Sequence, residues 1–174
     1  MRQDSVKLKT VTVLIKLADP DGSAAQALRH GADVNRFSNK VYEVKRVEGN
    51  VFLNEGIEHI WKAVTGVSGI TPFNATHACI GVGDGTTPED PTQTGLLGTN
   101  KYYKGMDAGY PQVSATSVTF RSTFGPDEAN FAWNEWTVAN GPGDGYVNLN
   151  RKVQNMGIKT PGSTWILTVQ LSIS

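Results

Sequence analysis

The chain has 174 residues, the size of one domain, and can bury roughly two-thirds of its unfolded surface without disulfides or metal. Its 16 basic and 16 acidic residues cancel, so no overall charge draws it to nucleic acid, a membrane or another polyanion. Cys79 is the single cysteine, which excludes an intrachain disulfide framework or thiolate metal cluster and points to assembly in a reducing cytosol.

In chain order, the first nine residues are charged and lack the apolar core of a signal peptide. Residues 6–17 predict a strand: Val11, Val13, Ile15 and Leu17 alternate with Thr12 and Lys16, while Val6 and Leu8 fall on the opposite phase, so a bulge is expected near Thr10. Pro20-Asp21-Gly22 ends that strand, and residues 23–29 predict two helical turns with Ser23 as N-cap and Gly31 just past the end. Residues 40–47 alternate with polar side chains on both faces, the pattern of an exposed strand or arm.

After Asn54, residues 55–64 give the clearest helix. Ile57, Ile60, Trp61 and Val64 recur at three- and four-residue spacing and predict the buried face, with Glu58, His59 and Lys62 pointing to water. Beyond Gly66 the composition turns to Gly, Thr, Pro and aromatics. Strands are predicted over 75–82, 117–124, 131–139 and 165–173, the last with Trp165, Leu167, Val169, Leu171 and Ile173 on one face. No window approaches the length of a membrane span, which predicts a soluble protein. There is no internal repeat. A boundary near residue 50 separates an N-terminal strand or arm segment, 1–50, from a β-rich body, 51–174, within one folding unit.

The run Gly81-Val82-Gly83-Asp84-Gly85-Thr86-Thr87 lacks the lysine of a phosphate loop, and its third glycine comes one residue too early for a dinucleotide loop. It reads as a glycine-built turn after a buried strand. Asp84, Glu89 and Asp90 lack the calcium-loop pattern. His30, His59 and His77 are scattered without zinc spacing, and Cys79 reads as core. Asp127, Glu128 and Glu135 are the carboxylates available for acid–base chemistry, which would need one of them raised in pKa within a cleft. Glu135, between aromatic positions, also suits accepting turn or strand-end amides. Phe131, Trp133, Trp136 and Trp165 are candidate core anchors, with sugar stacking on Trp133 or Trp136 as the alternative.

Several ordered blocks carry a resemblance. Thr71-Pro72-Phe73-Asn74, Ala78-Cys79-Ile80-Gly81-Val82-Gly83-Asp84-Gly85-Thr86-Thr87 and Gln93-Thr94-Gly95-Leu96 open the series. Val118-Thr119-Phe120-Arg121-Ser122-Thr123-Phe124-Gly125, Ala129-Asn130-Phe131-Ala132-Trp133-Asn134-Glu135-Trp136 and Leu149-Asn150-Arg151-Lys152-Val153 follow, and Gly157-Ile158-Lys159-Thr160 with Thr164-Trp165-Ile166-Leu167-Thr168-Val169 close it. Over residues 52–174 this series resembles a family of tailed-bacteriophage virion structural proteins. Residues 1–50 match no block.

The resemblance implies a non-enzymatic particle component, located in the virion and assembled in the host cytoplasm. A small neutral chain without coiled coil or fibre repeats favours a capsid decoration or cement protein. A tail or baseplate protein is the alternative, and a carbohydrate-binding host-recognition module a further one. Expected partners are the major capsid protein or tail proteins and further copies of the chain, as in a trimer, with no cofactor, nucleic acid or membrane. Partner-contact residues are unknown, segment 1–50 being favoured. The expected fold is mainly β: an antiparallel β-sandwich or jelly-roll-like body with one short amphipathic helix and an extended N-terminal segment.

Overall fold

A computed structural model describes residues 8–174. Two antiparallel five-stranded sheets face each other. The first contains β1 (Leu8–Ala18), β2 (Val41–Glu48), β6 (Gln112–Ser114), β7 (Ser117–Phe124) and β10 (Ser163–Ile173), in the order β2-β1-β10-β7-β6. The second contains β3 (Val51–Phe52), β4 (Cys79–Gly83), β5 (Lys101–Gly105), β8 (Ala132–Ala139) and β9 (Asn150–Ile158), in the order β3-β9-β8-β4-β5. The protein is mainly β, consistent with a β-sandwich.

The core between the sheets follows from alternation. Trp165, Leu167, Val169 and Leu171 of β10 and Phe120 and Phe124 of β7 meet Ile80 and Val82 of β4 and Trp133, Trp136 and Val138 of β8. Trp133 and Trp136 are three residues apart, which would put them on opposite faces of a regular strand. A register shift between Trp133 and Glu135 brings both indoles inward. Trp133 packs edge-to-face on Phe124 and Trp165, with centroids 4.7 and 4.8 Å away.

A second, smaller core lies on the outer face of the first sheet. Helix α1 (Ser23–Arg29) and a 3-10 segment, Val34–Lys40, cover Leu17 and Ile166. The helix begins where its sequence predicts, but Gly22 occupies the N-cap position. Buried Asp19 supplies the cap, its carboxylate accepting from the Ala24 and Ala25 amides at 3.1 and 2.9 Å.

The N-terminal strand differs from expectation in phase. Thr12, Leu14 and Lys16 face the main core, and Ile15 and Leu17 face α1. The polar residues are tolerated inside because they are satisfied. The Trp136 indole donates to the Thr12 hydroxyl at 3.1 Å. Lys16 lies 4.2 Å over the Trp165 ring and donates to the Met156 carbonyl and to Glu43. The register shift lies between Lys16 and Leu17, against β2, and not near Thr10; Val6 lies outside the described residues.

The expectation of an N-terminal arm is corrected for residues 8–48. β1 pairs with β10 along its whole length and with β2 on its other side, so this segment is built into the sheet. Deleting residues 1–50 would expose the core instead of removing an appendage.

Candidate functional site

Helix α2 (Asn54–Val64) forms as its periodicity predicts and lies the other way round. Ile57, Ile60, Trp61 and Val64 are exposed by 38, 40, 62 and 71%, whereas His59, expected in water, is 7% exposed. Three local contacts choose this orientation. Gly56 sits on the backbone of Leu149 so closely that a Cβ would come 2.6 Å from its Cα and carbonyl oxygen. Glu55 accepts from the Asn148 amide at 2.8 Å, and burial pushes its carboxyl above the usual range despite that bond. The His59 Nε2–H donates to the Thr71 carbonyl at 2.9 Å, and its ring meets Phe73 edge-on. Only glycine permits that approach, so the face containing Gly56 turns inward and the apolar stripe turns out.

Beside this helix an apolar cleft of about 530 Å³ opens at the end of the sandwich. Leu8, Val113, Phe120, Leu171 and Ile173 line it, and Ile60 joins it to the helix face. Val113 and Ile173 are themselves exposed. An apolar surface this continuous is uncommon on a chain that works alone, and such patches mark protein or membrane contacts or ligand grooves.

The motif-like residues of the sequence serve a different purpose. Glu135 is fully buried, and its carboxylate accepts from the amides of Gly85, Leu97 and Gly98 at 3.2, 3.0 and 2.6 Å. Arg151, also fully buried, donates through Nε to Glu135 Oε2 at 2.8 Å. Its Nη2 lies 2.6 Å from the same oxygen in an ion pair outside hydrogen-bonding geometry. Its Nη1 holds the Thr87 carbonyl and the Gln93 side chain. A Cβ on Gly83 would come 2.6 Å from Glu135 Oε1, and one on Gly85 would also strike the carboxylate. The glycine run is therefore the room a buried carboxylate needs, consistent with a glycine-built turn after a buried strand.

The remaining candidates are similarly engaged. Asp84 accepts from the backbone and side-chain amides of Asn100. Glu89 accepts from the Val153 amide, and Asp90 from Thr92. Glu128 binds Arg29, Lys104 and the Gly125 amide; burial works against its charge, but these partners hold its carboxyl below the usual range. Asp127 is exposed. Thus Glu128 is lowered in pKa, not raised, and Glu135 is sealed beneath a loop. Cys79 is buried and free, and burial pushes its thiol up. The His30 Nδ1–H donates locally to the Gln26 carbonyl, and the His77 Nδ1–H to the Asn74 side-chain carbonyl. Among the described residues no cluster of three or more His, Cys, Asp or Glu side chains could hold a metal ion.

Trp133, Trp136 and Trp165 are each 1% exposed and Phe131 packs half-buried against the same core. No indole face of Trp133 or Trp136 is open to a sugar ring. Trp61, which sequence reasoning placed inside, is the tryptophan that faces water. The pointer to that reversal is Gly56, three residues before His59: a small residue on one face of a helix allows close backbone packing there. No helix among the described residues is long and apolar enough to cross a membrane.

No protein-family model, curated protein or solved structure matches this chain.

Proposed function

We propose that the chain is a non-enzymatic structural component of a tailed-bacteriophage particle, a capsid decoration or cement protein that binds and stabilises the head shell. The observation that supports this most is the outward apolar face of α2 continuous with the apolar cleft. Burying such a surface gains roughly 25 cal/mol per Å², so copies that hold one another through it and sit repeatedly on a symmetric shell need only modest affinity each. The buried polar network supports the same reading. Glu135 and Arg151 fix the loops that a β-sandwich otherwise leaves loose, giving a rigid block. The ordered sequence blocks supply the phage connection.

Heads lacking the protein, mixed with purified chain and pelleted, test the proposal. Saturable binding with increased heat resistance of the heads is expected. Binding confined to tails would make this a tail or baseplate component, and binding to neither would overturn the assembly reading.

A further inference from the structure

The face of α2 has its own symmetry. Ile57, Ile60, Trp61 and Val64 are spaced three, one and three residues apart, an order unchanged when the helix is reversed. We propose that this face is covered by a second copy of the chain, the two α2 helices packing antiparallel across a two-fold axis. This names the partner of the surface on which the assembly reading rests.

A two-fold axis beside the helix places Ile57 against Val64 of the second copy and Ile60 against Trp61 of the second copy. Such an isologous contact uses one patch twice and closes on itself. The charges permit it. Glu58 and Lys62 pair with each other at 2.7 Å and offset one another within each copy, and Glu55, the remaining charged side chain of α2, is turned to the Asn148 amide. The area suffices as well. The four helix residues with Val113 and Ile173 are 38 to 80% exposed, roughly 600 Å² of residue surface, which with a polar rim reaches the about 800 Å² per partner of a standard interface. Trp61, projecting from the middle of the stripe, is an anchor of the kind that dominates interface energies. In the complex it enters the cleft side of its partner, next to Ile60 of the second copy.

Sedimentation of the full chain from micromolar to hundreds of micromolar tests the proposal. The weight-average mass is expected to rise toward twice the monomer. Trp61 emission shifts to the blue and becomes shielded from iodide, while Trp133, Trp136 and Trp165 are already buried. Ile57→Lys and Val64→Glu each yield monomer with unchanged far-ultraviolet dichroism, and the double variant recovers the dimer because antiparallel pairing sets Lys against Glu. A wild-type chain that stays monomeric throughout, or a Trp61→Glu variant that dimerises like wild type, would overturn it. A monomer that binds heads would sink this inference and leave the assembly reading standing. A dimer that binds neither heads nor tails would do the reverse.

Discussion

Glu135→Gln is the sharpest probe of the buried network. The substitution keeps the shape and an oxygen for the loop amides but removes the charge facing Arg151, and both residues are fully buried. Removing one partner of a buried pair leaves an uncompensated charge and costs about 3–5 kcal/mol, a large part of the about 5–15 kcal/mol that holds a domain together. With a urea slope of about 2–3 kcal/mol per molar, the midpoint should fall by roughly 1.5 M. Urea titration at neutral pH, followed by the emission of the three core tryptophans, measures it. Adding Arg151→Met to Glu135→Gln should restore much of the loss, because the orphaned charge goes too. A single-variant midpoint shift under about 0.3 M at unchanged slope would refute the reasoning, since water would then have to reach the pair.

Three further outcomes follow from the same geometry. Gly56→Ala, which in an ordinary helix interior stabilises by about 1 kcal/mol, should here destabilise by about 1–3 kcal/mol, because the methyl meets the Leu149 backbone; thermal unfolding gives the sign. Lys159 donates to the Gly125 carbonyl and Asn130, and burial lowers its pKa to about 8, with Arg29 adding to and Glu128 and Asp127 opposing the effect. Between about pH 8 and 10.5 the unfolded chain then holds the extra proton, so wild type should gain about 2–3 kcal/mol over Lys159→Met across that window in denaturant titrations, and equal pH profiles would contradict it. Burial disfavours the Asp19 charge, but the Ala25 and Ala24 amides, Thr164 and Lys40 outweigh it and hold the carboxyl low. Its stabilisation is present above about pH 4 and lost as pH falls through the folded value, so the gap between wild type and Asp19→Asn should be full at pH 7 and close in acid.

The parts of the fold visible in the sequence are those where one face packs and the other does not. β10 alternates because Trp165, Leu167, Val169 and Leu171 line the core, and α2 stands out by its stripe. Alternation reports that two faces differ, without saying which one has a neighbour. For α2 the decision lies in Gly56 and the Leu149 backbone, distant in sequence. For β1 it lies in Thr12 and Lys16, whose polar groups are satisfied by Trp136 and Trp165. β9 is not announced by alternation, because Asn150, Arg151, Lys152, Gln154 and Asn155 put polar side chains on both faces; its buried Arg151 is admissible only opposite Glu135. The expectation that Glu135 accepts turn or strand-end amides has its counterpart in the amides of Gly85, Leu97 and Gly98, which lie in the connection after β4 and before β5. The core positions of Trp133 and Trp136 together needed a bulge that no local pattern announces.

The central claim is that this chain is part of a particle shell, and the most direct measurement is its copy number in purified tailed-phage particles encoded with it, by quantitative mass spectrometry against the major capsid protein. A decoration role predicts copies in fixed, shell-scale proportion to that subunit. Absence of the chain from purified particles would contradict the account.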